Sequence, residues 1–294
     1  MRLTPATLSR SDSTLSQETS MSSFLSEIEA HLAQHPRRAA LPEGWSPRAF
    51  DGRRILLEAA SLPVLAAANI TVTGEFGPGN VLFIPREGIC KKLRLSFARG
   101  SRDNILSFAS VENLKLDIKV GGFGNTAVFD GDNTIGGSIN FKDAGGVLLV
   151  GHRSTANHMD VLLAGRDRMV TLGEDCMLAT GITLRTSDSH SVIDLLEDRA
   201  INPVDDVQIE QHVWLGARVT VMKGVRIGRG SIVGGGSFVT RDVPPFSLAV
   251  GTPARVVKQN VSWSRAMLSD PARTRQFSQE LKARLGYPGS DPAA

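Results

Sequence analysis

The sequence predicts an all-β fold: a parallel β-helix, a triangular prism of about ten turns, with helical segments at both ends. Three observations carry this. In "VWLGARVTVMKGVRIGRGSIVGGGSFVTRD" and just before it, Ile209, Leu215, Val221, Ile227, Val233 and Val239 recur every six residues, and Val207, Val213, Val219 and Val225 precede the first four by two. A period of two is a strand, and a period of six is a short strand plus its corner. Three hexads then close one turn of about 18 residues. The same phase returns upstream in Leu172, Leu178 and Leu184, and more loosely around Phe129 and Val150. Finally, aromatics make up 5% of the chain while glycine supplies 29 residues, so the core is built from Val, Ile and Leu around tight turns. On this register Ile209 stacks on Ile227, Leu215 on Val233 and Val221 on Val239, each one strand spacing of about 4.8 Å apart. A β-sandwich does not hold phase over six repeats.

The elements follow in order. Residues 1–21 are rich in Ser and Thr and are expected to be disordered. Residues 22–69 read as a helical segment and linker: Ser22 or Ser23 caps a helix whose apolar side is Phe24, Leu25, Ile28 and Leu32, with His31 and His35 on its surface. Residues 70–250 form the prism, in short aliphatic runs between Gly, Asn and Asp. Leu184 and Ile209 are 25 residues apart, which is not a multiple of six, so a loop over 186–206 leaves the wall. Residues 251–294 are a tail in which Pro253 ends regular pairing and a last helix follows. Ser269 or Asp270 caps that helix, Pro271 opens it, Phe277, Leu281 and Leu285 line one side, and Gly286 stops it.

Bulk properties narrow the function. A net charge of +3, with no basic run interleaved with aromatics, argues against nucleic acid and leaves anionic small molecules as partners. Cys90 and Cys176 stand far apart without a CxxC, which fits reduced thiols and offers no metal knuckle. No stretch of 18 apolar residues and no apolar leader segment occurs, so a cytoplasmic protein is expected. His152, His158 and His212 raise a three-histidine zinc site. His212 lies in a turn-like "EQH", however, and no metal is expected.

The loop carries the first chemical candidate. Loops on a rigid scaffold are where chemistry concentrates, and "TSDSHSVIDLLEDRAINPVDD" contains His190 two residues after Asp188. A neutral imidazole removes a hydroxyl proton near neutral pH, and a neighbouring carboxylate fixes its tautomer. A solvated loop histidine beside an acidic neighbour is the alternative on composition alone. The second candidate is Trp214. Val213 and Leu215 point inward by alternation, so Trp214 faces outward over Ile232, in an apolar stripe that a ligand or a neighbouring subunit must cover. Gly216 and Gly234 share the adjacent column and leave bare backbone beside it.

The hexads, together with "VTRDVPPFSLAVGTPARVVK" at 239–258, resemble the hexapeptide-repeat acyltransferases, most strongly over 207–263. "INPVDDVQIEQHVWLGARVTV" and "KQNVSW" resemble the branch of sugar and polysaccharide O-acetyltransferases. The resemblance implies a left-handed coil, a homotrimer with sites between subunits, and acetyl-CoA as co-substrate. It makes His190 the catalytic base and Trp214, 24 residues later, part of the acyl site. The groove left by Gly216 and Gly234 fits the narrow arm of the coenzyme, and the resemblance places the coenzyme against Ala217, Gly235, Thr240, Arg241, Arg255 and Lys258, the basic ones suiting its phosphates. The family's usual Ala and Lys are replaced by Gly235 and Arg241, which removes neither a backbone donor nor the charge. Asn157 in "STANHMD" resembles an active-site Asn, with two extra residues before "TLGED". The activity implied is acetyl transfer to a sugar hydroxyl, in a bacterial cell-surface polysaccharide or its precursor. The alternatives are another small acceptor, such as an amino sugar, an antibiotic or serine, or a noncatalytic trimeric scaffold.

Overall fold

The computed structural model describes residues 21–42 and 45–288, so the expectation of a disordered start falls outside it except at Met21. Strands wind into a three-walled coil. The first wall stacks Val81–Pro85, Ile105–Phe108, Thr126–Phe129, Val147–Val150, Met169–Leu172, Val207–Ile209 and Val225–Ile227 in parallel. The other sheet bends around the second and third walls. Its early strands, such as Thr155–Leu163 and Met177–Arg185, each run across both. Later the two walls separate into Trp214–Leu215 with Thr220–Val221, then Ile232–Val233 with Phe238–Val239.

The predicted stacking register is the observed one: Ile209 pairs with Ile227, Leu215 with Val233 and Val221 with Val239. Each of these side chains is at most 2% exposed. Full burial of a Val, Leu or Ile side chain stabilises by about 1.5–3 kcal/mol, so these six positions together contribute on the order of 10 kcal/mol of driving force. The stack from Ile70 to Gly251 holds nine parallel ranks, close to the expected ten. Upstream turns are longer than three hexads: Thr126, Val147 and Met169 begin successive first-wall strands 21 and 22 residues apart. The extra residues sit at bulged corners, as where the register shifts between Ala156 and Met159. At one such corner Gly137 has φ 141°, and a Cβ there would meet the Met159 carbonyl oxygen at 1.8 Å, so no other residue fits.

The first wall is apolar on both faces. In "VLFI", "VLLV" and "MVTL" every residue is buried. Inward residues join the prism core, while Val81, Phe83, Val128, Val147, Leu149 and Met169 pack outward against the N-terminal arm. That arm is the helix Met21–Ala33, through Ile28 and Leu32, followed by Ala40, Leu41, Trp45 and Phe50. Three expectations are corrected here. Ser22 and Ser23 lie within the helix rather than at its cap. His35 is 8% exposed and its Nε2 is 2.8 Å from the Gly145 carbonyl, so it anchors the arm instead of facing solvent; His31 reaches Gly124 O in the same way at 3.3 Å. The linker also contains a strand, Gly52–Leu56, antiparallel to Val81–Pro85. The side chain of Phe24 lies outside the described residues.

Past the last coil, Ser247–Gly251 turns at Pro253 and returns as Ala254–Gln259 in antiparallel pairing, so the ladder continues where it was expected to end. The terminal helix is Pro271–Leu285; Asp270 caps it by accepting from Ala272 N at 3.0 Å and Arg273 N at 3.3 Å, and Gly286 closes it at φ 59°. Leu281 and Leu285 bury against Phe246, with Phe277 alongside.

Candidate active site

The loop over 186–206 leaves from the corner between the third and first walls. Thr186 is fully buried, and its hydroxyl donates to Ala164 O at 2.8 Å and accepts from Ala164 N at 2.9 Å, which fixes the exit point. Arg185 then reaches forward to Ser189 Oγ at 3.2 Å, and Ser187 Oγ accepts from Ser189 N at 2.9 Å. Ser189 takes φ 69°, and this turn presents His190 on the exposed surface. The ring of His190 has no hydrogen-bond partner among the described residues. The rest of the loop is a short hairpin, Ile193–Asp194 against Arg199–Ala200, with Leu195 and Leu196 84% and 95% exposed at its tip.

Asp188 does not touch the imidazole, contrary to the expectation that it orients the ring. Its carboxylate accepts from Lys223 Nζ and from Asn202 Nδ2 at 2.7 Å, and the Asn202 amide also donates to the His190 carbonyl at 2.9 Å. The Lys223 ammonium, then the Asn202 amide, hold the Asp188 carboxyl below the usual carboxylate range. Asp188 is thus a fastener that ties both ends of the loop to the next coil. Lys223 and Asn202 were missed in the sequence because their partner is distant: Lys223 follows Asp188 by 35 residues and meets it through the coil repeat.

Trp214 faces outward as expected, 36% exposed, in a column with Met177, Ile232 and Leu248. Its unpredicted neighbour is Trp263, whose ring centre lies 6.2 Å away. Trp263 is itself stacked on His212 at 4.3 Å, donates from Nε1 to the His212 carbonyl at 2.8 Å, and its own carbonyl lies 3.0 Å from His212 Nε2. His212 Nδ1 is 2.8 Å from Asp175, which also accepts from Arg265 at 3.0 Å and Arg284 at 3.0 Å. Burial pushes the Asp175 carboxyl up, but the bonds to His212 and Arg265 outweigh it and leave the group well below its ordinary range. This cluster pins the C-terminal tail behind Trp214 and uses two of the tail's basic residues. His152 and His158 face separate carboxylates, Asp132 and Asp160, and no group of three or more His, Cys, Asp or Glu residues fit for a metal occurs among the described residues.

The remaining predicted residues gather on the second wall and its corner with the third. Gly216 is buried, and a Cβ there would meet Gly235 N at 2.6 Å, so its glycine serves close stacking of the coils rather than exposed backbone. Ala217 and Gly235 are exposed at that corner, and neither backbone N–H has an acceptor among the described residues. Gly234 abuts Val250. Arg255 pairs with Val250 and Lys258 with Leu248 along the hairpin, both exposed, and neither forms an ion pair among the described residues. Asn157 is exposed on Thr155–Leu163, near the same corner. Thr240 and Arg241 stand instead at the corner between the third and first walls, two coils beyond the exit of the His190 loop. Trp214 pairs with Met177, at the opposite end from Arg185 of a strand that crosses two walls. A single chain therefore gathers the predicted residues in two groups, His190 with Arg241 on one corner, and Trp214, Asn157, Ala217, Gly235, Arg255 and Lys258 around another.

These features define a hexapeptide-repeat coil. Residues 206–241 match the family described as "Bacterial transferase hexapeptide (six repeats)". Among similar proteins, the polysialic acid O-acetyltransferase of Escherichia coli O1:K1 / APEC is 32% identical over 141 residues, 47% of this chain and 46% of that one. The galactoside O-acetyltransferase of Escherichia coli (strain K12) is 36% identical over 93 residues, 32% of this chain and 45% of that one. The chain thus spans about half the length of the curated relatives it matches. The crystal structure of the polySia specific acetyltransferase NeuO overlays with a TM-score of 0.59 at 28% identity, over 74% of this chain and 97% of that one. The polysialic acid O-acetyltransferase OatWY, at 24% identity and a TM-score of 0.57, shares the fold. These neighbours are left-handed β-helices, the hand the resemblance implies.

Proposed function

We propose that the protein is an acetyl-CoA-dependent O-acetyltransferase acting on a sugar hydroxyl of a polysaccharide or its precursor, working in the cytoplasm as a homotrimer. The observation that carries this reading is the overlay on a polySia specific acetyltransferase along 97% of that chain. The division of the predicted residues between two corners supports a trimer in which one subunit's His190 corner faces the next subunit's Trp214 wall. The apolar loop tip, Leu195 and Leu196, supplies a surface for that neighbour to cover.

The residues present fit the co-substrate. The unbonded N–H groups of Ala217 and Gly235 are donors for an amide-bearing arm, and Arg241, Arg255 and Lys258 are cations free to pair with phosphates. Acetyl-CoA, when bound, supplies an acetyl group already activated as a thioester. The chain's own task is positioning and proton removal. His190 Nε2 or Nδ1 would accept the proton of the sugar hydroxyl as its oxygen bonds to the acetyl carbon, and return it to the sulfur that leaves as the C–S bond breaks, while Trp214 and Trp263 wall the reacting centre from water.

Replacing His190 with Ala tests the reading. Transfer to an oligosaccharide acceptor, followed by coenzyme A thiol release, is expected to fall by about 10²–10⁴ with coenzyme A affinity and melting temperature near wild type. A loss below tenfold would count against the base assignment.

A further inference from the structure

The first wall changes character along its length. Its lower strands are apolar outward and covered by the N-terminal arm, whereas "VQI" and "VRI" turn Gln208 and Arg226 outward. There a cleft of about 860 Å³ opens between the wall and the arm, bridged where the Gln208 amide donates to the Ala40 carbonyl at 3.2 Å. Trp45 and Arg48 form one side, Thr171 and Gln208 the floor, and Asp130, Glu174, Gln211 and Arg229 the ends. None of the predicted coenzyme or catalytic residues lines it.

Its chemistry is selective. Three cations, Arg48, Arg226 and Arg229, face three carboxylates, Asp130, Glu174 and Glu210. Arg48 pairs with Glu174 at 3.0 Å and Arg226 with Glu210 at 2.6 Å, so the described lining residues offer an anion no net charge. What it does offer is unused hydrogen bonding. Asp130 is 6% exposed; one oxygen accepts from Arg48 N at 2.7 Å, and the other has no partner among the described residues. Burial, opposed by that bond, raises its pKa. Arg229 Nε is buried without a partner, and the Gln211 amide and Thr171 hydroxyl also have none among the described residues. Donors and acceptors interspersed around an aromatic face, in a concave site within the usual volume range for ligands, suit a hydroxyl-rich ring with an apolar side. A protein partner's apolar surface would leave the unused groups unpaired.

We infer that this cleft is a second, noncatalytic saccharide site that grips sugar rings of the acceptor beyond the one being acetylated. The inference rests on the reading of the protein as a sugar O-acetyltransferase. It predicts that short and long acceptors behave differently. The test uses the full chain, with a neutral oligogalactoside and an oligosialic acid as probes, each against its monosaccharide. Trp45→Ala removes the aromatic face; Gln211→Ala removes an amide with no internal partner and leaves the arm's packing intact. In a His190→Ala background, titration calorimetry is expected to show the oligosaccharide bound about tenfold more weakly by either variant. With His190 present, each variant raises KM for the oligosaccharide about tenfold and leaves kcat and monosaccharide KM unchanged. Wild-type-like binding and KM in Gln211→Ala, with its melting temperature preserved, overturns the site while leaving the transfer reading intact. Oligosaccharide binding weakened by the variants, with no sugar acetylated by wild type, supports the cleft and refutes the transfer reading instead.

Discussion

Removing Lys223 separates two roles for Asp188. If Asp188 oriented the catalytic imidazole, its loss would change the proton-transfer step; the geometry makes it a fastener for the loop instead. Lys223 Nζ donates to Asp188 and, at 3.1 Å, to the Asn202 carbonyl, with side chains 16% and 31% exposed for Lys223 and Asp188. Hydrogen bonds between charged groups contribute about 1.5–3 kcal/mol, and partial exposure reduces this to about 1–2 kcal/mol. At about 1.4 kcal/mol per tenfold, Lys223→Met can lower kcat/KM by at most about thirtyfold, well short of the loss on removing a general base. Asp188→Ala breaks the shared contact of the same fastening, so the double variant should lose less than the product of the two single losses. The carboxylate is held below its ordinary range, so its contribution is complete above that range and disappears as pH falls through the lowered folded value. Near neutrality Asp188 therefore stays ionised, and neither variant should move the pH–rate profile of kcat/KM. Multiplying losses, or a shifted profile in Asp188→Ala, would refute this account.

Two further outcomes are expected. Arg255→Ala should weaken coenzyme A binding about tenfold in calorimetry, more at low salt than at high, with kcat preserved at saturation; an unchanged affinity would remove Arg255 from the phosphate site. Asp175→Asn should cost about 2–4 kcal/mol of stability at pH 7 by unpinning Arg265, Arg284 and His212. Because that carboxyl is held low, the difference in melting temperature should persist down to the ordinary carboxylate range, then shrink toward the depressed folded value.

The coil from Val207 to Val239 was legible because nothing interrupts it: inward aliphatics every six residues specify the register by themselves. The terminal helix was legible for a similar reason, since Asp270, Pro271 and Gly286 act on adjacent backbone. The upstream coils were blurred by corner residues that spoil the period. The fully buried runs "VLFI" and "VLLV" did carry a signal that something covers their outer face, but not what covers it. His35 could not be placed from its helix, since its partner Gly145 lies 110 residues away. Likewise the spacing of Asp188 and His190 is as short as an orienting pair requires, yet the loop turn at Ser189 sends the two side chains apart, and Lys223 captures the carboxylate.

Mixed assembly of the proposed trimer tests most directly whether chemistry is assembled between subunits. His190→Ala and Trp214→Ala chains, each nearly inactive alone, would be unfolded together, refolded in equal amounts and assayed for acetyl transfer. Random assembly places an intact His190 beside an intact Trp214 of the next subunit at about one interface in four, so roughly a quarter of wild-type activity should return. Activity no higher than the sum of the two separate variants would contradict a shared site.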